Sequence, residues 1–263
     1  FKFMLSGDLP SGYKNRIKDV TDGKVIFDEI SYTAADIGKD FVYTITEQYT
    51  GIAGYTYSNE VYTVKVHVAD DPEGKGNLQV TAKVTDSEGN KVELNEITFE
   101  NFYKAEGSLD LEVRKDLEGR KLEAEKFTFI LESDGETPKF STEGKNAADG
   151  TVTFKQLPSY TQKDDGKTYH YKLYEKIPNP MPSGYEYDDQ IYNVEVTIKD
   201  LGNGTLKVDK KITYTKDNEE GSVDGAVIFK NFYKATGDLE LIAKKELEGR
   251  TLEADQFTFV LES

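Results

Sequence analysis

Three residue types recur where strand alternation points inward, and together they could make an amide. Leu109, Leu111 and Val113 alternate toward one face, and the next position on that face is Lys115. Tyr169, Tyr171 and Leu173 lead in the same way to Glu175, and Val227 and Phe229 lead to Asn231. A lone charge in an apolar interior costs several kcal/mol or is avoided by neutralisation. Burial lowers the pKa of a lysine and raises that of a glutamate. A neutral lysine is a nucleophile. A protonated glutamate can polarise the asparagine carboxamide and carry a proton to departing ammonia. Holding the three groups in contact supplies the effective concentration. The same pattern also fits polar strand ends reaching water, and alternation alone leaves both readings open.

The elements that would position these residues repeat. NFYKA stands at 101–105 and again at 231–235. LDLEVRKDLEGRKLEAEKF at 109–127 returns as LELIAKKELEGRTLEADQF at 239–257. FKFMLS at 1–6, FTFILES at 127–133 and FTFVLES at 257–263 correspond as well. A period of about 126–130 residues is a domain, not a solenoid turn. The reading is therefore repeat one over 1–105, lacking its first strand, a complete repeat two over 106–235, and the first strands of repeat three over 236–263. Repeat one contributes Glu47 after Phe41, Tyr43 and Ile45, and Asn101 after Ile97 and Phe99. Repeat three contributes Lys245 after Leu239, Leu241 and Ala243. Only repeat two holds all three types.

Period-2 alternation dominates each repeat, and Asp149-Gly150, Asp165-Gly166 and Gly202-Asn203-Gly204 supply turns between the runs. Seven or so strands in about 130 residues read as an all-β chain of tandem immunoglobulin-like β-sandwich domains. The segment 117–125 reads as a connection between strands.

Composition narrows the function. The formal net charge of −16 argues against nucleic acid and against electrostatic attachment to anionic lipid. There is no cysteine, so disulfides, thiolate metal sites and cysteine nucleophiles are excluded. No apolar run is long enough to span a membrane. His67 and His170 fall at outward strand positions, and the acidic loops 70–74 and 217–221 lack EF-hand ligand spacing, so no metal or cofactor is expected. No phosphate loop, triad or dinucleotide fingerprint occurs. The chain opens without methionine inside an apolar alternation and reads as part of something longer.

The ordered set Lys115-x-Leu-x-Gly-Arg, Phe127-Thr-Phe, Gly150-x-Val-x-Phe, Tyr169-x-Tyr-x-Leu-x-Glu, Tyr192-x-Val-x-Val and Phe229-x-Asn-x-Tyr resembles the streptococcal-type pilin isopeptide-linkage domain, a CnaB-like inverse immunoglobulin sandwich. The likeness covers essentially the whole chain. It implies Lys115 as amine donor, Asn231 as carboxamide acceptor and Glu175 as acid/base, in a single-turnover cross-link and not an enzyme. Glu47, Asn101 and Lys245 occupy the matching places of the partial repeats. Arg114, with outward parity, cannot be the nucleophile, whereas Lys244 could compete with Lys245 if that strand slipped by one residue. The resemblance implies an extracellular, Gram-positive surface or pilus shaft, with an adhesin or ligand-binding module on the same fold as the alternative. Neighbouring repeats or subunits are the expected partners, through strand exchange of residues 236–263 as one route. In that exchange Lys245 would meet Glu47 and Asn101 of another chain.

Overall fold

The computed structural model describes residues 1–14, 16–73, 76–135 and 139–262. Gly74 of the first acidic loop and Ser263 at the end of the third apolar alternation lie outside them. Repeat one contains β1 (Lys2–Gly7), β2 (Ile17–Asp19), β3 (Asp40–Gln48), β4 (Tyr55–Thr56), β5 (Val61–Asp70), β6 (Leu78–Thr85), β7 (Lys91–Val92) and β8 (Phe102–Tyr103). Repeat two contains β9 (Glu106–Ser108), β10 (Val113–Glu118), β11 (Thr128–Ser133), β12 (Ser141–Asn146), β13 (Val152–Phe154) and β14 (Ser159–Thr161). It continues with β15 (Thr168–Glu175), β16 (Tyr185–Glu186), β17 (Tyr192–Asp200), β18 (Leu206–Lys216), β19 (Glu219–Val223) and β20 (Val227–Tyr233). The only helical segments among the described residues are single 3-10 turns, Ala34–Asp36 and Gln162–Asp164. The fold is all-β.

Repeat two is a two-layer sandwich. A seven-stranded sheet in the order β13-β12-β11-β15-β17-β18-β19 faces a three-stranded sheet in the order β10-β20-β16. Alternation drives this: Tyr192, Val194, Val196 and Ile198 of β17 are buried while the residues between them are exposed. Phe129 from the large sheet meets Phe229 from the small one with ring centroids 5.1 Å apart. A buried aromatic pair of this kind contributes about 0.5–1.5 kcal/mol beyond its burial. After the short β9, the first strand of the sandwich, β10, and its last, β20, are parallel neighbours, with Lys115 opposite Phe229 and Leu117 opposite Asn231. Leu109 and Leu111 are buried ahead of β10 although they lie outside a strand.

Among the described residues, repeat one has the large sheet, β2-β1-β3-β5-β6-β7, with only the short pair β4-β8 apart from it. The alternations Val25–Phe27 and Ile97–Phe99 are not in strands here, whereas their counterparts Val152–Phe154 and Val227–Phe229 are. For the last strand the reason is pairing. β20 ladders against β10 over six residue pairs, and no such neighbour lies beside residues 97–101. Strand residues need a partner for their backbone groups, whatever their own alternation. Residues 234–262 form no strand, and Leu239, Leu241, Ile242 and Phe259 are exposed.

The two repeats meet at a narrow joint. The Tyr103 hydroxyl donates to Asp200 Oδ1 at 2.7 Å and accepts the Gly204 N–H at 3.2 Å. The Gln162 amide donates to the Tyr103 carbonyl at 3.1 Å. Gly204 has φ +80° and lies so close to Gly54 that an added Cβ would stand 2.8 Å from the Gly54 Cα. Gly204→Ala should therefore open the joint, since the positive φ alone costs on the order of 1–3 kcal/mol in a residue with a side chain. Small-angle scattering should show a broader spread of distances between repeats, and an unchanged profile would refute this account of the joint.

Candidate functional site

Lys115, Glu175 and Asn231 come together between the two layers. β10 carries Lys115 inward between exposed Arg114 and Asp116. β15, in the opposite sheet, ends on Glu175, which lies opposite Phe129 of β11. β20 carries Asn231 inward two residues after Phe229. All three side chains are buried, with the whole of Asn231 at 0% exposure. The Arg114 guanidinium instead donates to the Asp149 carbonyl at the surface, 3.2 Å away.

One carboxylate holds both the amine and the carboxamide. Lys115 Nζ donates to Glu175 Oε2 at 2.8 Å, and Asn231 Nδ2 donates to Glu175 Oε1 at 2.8 Å. The Asn231 Oδ1 accepts the main-chain N–H of Asp188 at 2.7 Å. The Phe127 ring lies 4.8 Å from Lys115 Nζ and closes that side with apolar surface. Burial pushes the Lys115 ammonium below its ordinary pKa, and Glu175 beside it pushes back. Burial likewise pushes the Glu175 carboxyl up, against Lys115 and Asn231. Both directions favour the uncharged pair. A neutral amine and a protonated acid are the forms that amide exchange needs.

Repeat one holds two of the three groups in the same relation. Asn101 Nδ2 donates to Glu47 Oε1 at 2.6 Å, and Asn101 Oδ1 accepts the Ser58 N–H at 2.7 Å. Glu47 Oε2, which corresponds to the lysine-bound oxygen of Glu175, accepts the Ser58 N–H at 3.1 Å. Lys245 is not brought to either pair. Its Nζ donates to the Glu246 carbonyl at 2.8 Å and lies 4.6 Å from the Phe257 ring, the counterpart of Phe127. Lys244 pairs with Glu246.

Two participants have no signature in strand parity. Phe127 could be found from its repetition as Phe257 twelve residues after a lysine. The Asp188 N–H could not, because a backbone donor belongs to every residue type except proline. The histidines are at the surface, and His67 Nδ1 lies 2.6 Å from Asp40. No cluster of three or more potential metal ligands occurs among the described residues. None of the described helices is long and apolar enough to cross a membrane.

A two-layer all-β repeat with a lysine, a glutamate and an asparagine buried on its first, middle and last strands has the make-up of an isopeptide-linkage sandwich. Residues 1–104 and 111–234 each match the FctA family, the Spy0128-like isopeptide containing domain, and the chain belongs to that family. Over 88% of its length it is similar to the major pilin from Streptococcus pyogenes, at 18% identity, covering 90% of that chain with a TM-score of 0.32. Over 89% it is similar to the T-13 major pilin of the same organism, at 16% identity, covering 89% of that chain with a TM-score of 0.27. No curated protein matches the chain.

Lys115→Met would leave Glu175 buried without its cation. Because the folded pKa of Glu175 is raised, its stabilising protonation is complete below the unfolded value and is lost as pH rises through the folded one. The melting temperature of Lys115→Met should thus fall as pH rises above the ordinary carboxylate range, with each tenfold gain in proton affinity worth about 1.4 kcal/mol. Lys115→Met/Glu175→Leu should lack that fall. Equal pH dependence in the two variants would show that Glu175 is not the titrating group.

Proposed function

We propose that the chain is part of the shaft of a Gram-positive surface pilus, and that repeat two closes a covalent Lys115–Asn231 isopeptide bond. The observation that carries this reading is the single buried carboxylate of Glu175, which holds the lysine amine and the asparagine carboxamide on its two oxygens. Family membership supports the pilus role, and the acidic, self-repelling composition suits an exposed surface. The proton moves from Lys115 to Glu175, and the neutral amine attacks the Asn231 carbonyl carbon. The C–N bond to the former carboxamide nitrogen breaks as Glu175 gives that nitrogen the proton and ammonia leaves, and Glu175 then takes the second proton from the attacking nitrogen, which leaves a neutral amide beside a protonated Glu175. The step happens once per molecule. Because β10 and β20 carry the bond, tension along the chain enters and leaves the repeat through it and leaves most of the sandwich unloaded.

Neighbouring repeats or subunits join in the shaft, and residues 236–263, as the opening strands of a third repeat, are one route. Laid along residues 97–103 of another copy in the register of β10 on β20, Lys245 would reach Glu47 and Asn101. Leu239, Leu241 and Ala243 repeat the inward spacing of Leu109, Leu111 and Val113, which supports that register.

The intact mass of the chain should be short by one ammonia. Lys115→Ala, Glu175→Ala and Asn231→Ala should each restore the full mass and cost about 4–5 kcal/mol of stability, by analogy with a disulfide closing a loop of this size. An unshifted mass for the parent chain would remove the proposal, and a deficit surviving Lys115→Ala would move the bond elsewhere. Strand exchange should give a covalent ladder on denaturing gels that Lys245→Ala or Asn101→Ala abolishes. A ladder that persists in both variants would refute the exchange.

A further inference from the structure

The mechanism above leaves the Asn231 carbonyl oxygen to a donor that it does not use. As Lys115 attacks, the carbonyl π pair moves onto Oδ1, and that oxygen becomes an oxyanion until the bond to the leaving nitrogen breaks. The Asp188 N–H already stands 2.7 Å from it. Donors at about 2.7–3.1 Å from a developing oxyanion lower such barriers most when water is excluded, and Asn231 is fully buried.

The turn that presents this N–H is clamped. Asp188 lies between β16 and β17, and its side chain reaches back over the acceptor strand. Asp188 Oδ2 accepts the main-chain N–H of Lys230, the residue before Asn231, at 2.8 Å. Asp188 Oδ1 accepts the Gln190 N–H at 3.0 Å. One carboxylate thereby ties the turn both to itself and to the strand that carries the reacting carboxamide. Repeat one supports the same role for the main chain. Ser58 stands in the place of Asp188, and its N–H meets Asn101 Oδ1 at the same 2.7 Å. The side chain differs between repeats while the donor and its distance do not. The Ser58 hydroxyl accepts the Glu60 N–H at 3.3 Å, a weaker version of one of the two ties.

We infer that the Asp188 main-chain N–H is the oxyanion donor of the cross-linking step and that the Asp188 carboxylate is the positioning group that holds it there. This rests on the isopeptide reading of Lys115, Glu175 and Asn231. No atom is added or lost beyond that reaction: the N–H keeps its proton, and ammonia remains the sole leaving group.

The full chain, kept in denaturant so that no bond has formed, is released into buffer and quenched at intervals for intact mass, with folding followed by tyrosine fluorescence. Asp188→Ala should slow the loss of ammonia about tenfold or more relative to the parent, less than the 10²–10³ for deleting such a donor outright, because the N–H remains but is unpinned. Asp188→Asn keeps an acceptor oxygen for the clamp and should restore most of the rate, and Asp188→Ser should fall between. Folding should recover at the parent rate in all three. A contribution to stability alone is separated by adding Asp188→Ala to Lys115→Ala, where no bond can form and only the melting temperature can respond. Parent-like cross-linking rates in all three variants would overturn the inference while leaving the bond itself standing. So would a slowing that merely tracks slower folding. A parent chain that never loses ammonia would overturn both readings together.

Discussion

Everything in repeat two is arranged around one electrostatic problem, an ammonium and a carboxylate placed where water does not reach. Lys115 and Glu175 pair at 2.8 Å with both side chains at 0% exposure. A buried pair of this kind adds little to stability, because desolvation consumes most of the Coulomb gain. Its presence fits the proposed chemistry. Proton transfer within the pair removes both charges, and an amide between lysine and asparagine would make the lysine's neutrality permanent. The apolar shell of Phe127, Phe129, Val227 and Phe229, each buried to within 1% of completely, makes the problem severe. In the proposed chemistry it is part of the reactive apparatus as well as the core.

The comparison of the two repeats separates what a strand contributes from what its own sequence contributes. Residues 97–103 and 227–233 share the alternation and the NFY ending. Beside β10 the second of these is a seven-residue strand with Val227 and Phe229 fully buried. Without such a neighbour the first keeps only Phe102–Tyr103 in a strand, and Ile97 and Phe99 are half-buried. Fully burying side chains of this size is worth about 1.5–3 kcal/mol each. The first strand thus brings more than its lysine: it completes the small sheet and seals the core over the site. The Glu47–Asn101 contact is present without it, with the Ser58 N–H donating to both side chains.

Much of this was legible in the residues themselves. Alternation identified the inward positions of Lys115, Glu175 and Asn231 because the side-chain period of a strand is 2 and a polar residue breaking the apolar series is visible at once. The repeat made the same three types visible in register, and Arg114 was assigned to the surface by the same parity. What alternation does not encode is pairing. Val25–Phe27 and Ile97–Phe99 have the alternation of strands and are not strands, and what Ile97–Phe99 lacks among the described residues is a neighbour like β10. The joint was equally hidden. Gly204 reads as an ordinary turn residue, and only three-dimensional approach shows that neither it nor Gly54 has room for a Cβ.

The proposed bond also bears on how a chain without cysteine could carry load. A disulfide would need two side chains of fixed geometry and an oxidant. The Lys115–Asn231 pairing needs neither, since its driving group, Glu175, is internal. The reagent is the folded core itself: desolvation shifts both titrating groups in the required direction only once the two sheets have closed. Bond formation would then be conditional on correct packing. A misregistered β10 would put Arg114 inside, and an arginine there can neither deprotonate nor react. The proposed cross-link would therefore lock only the native register, and the desolvation that destabilises the unreacted pair would also make the lock selective.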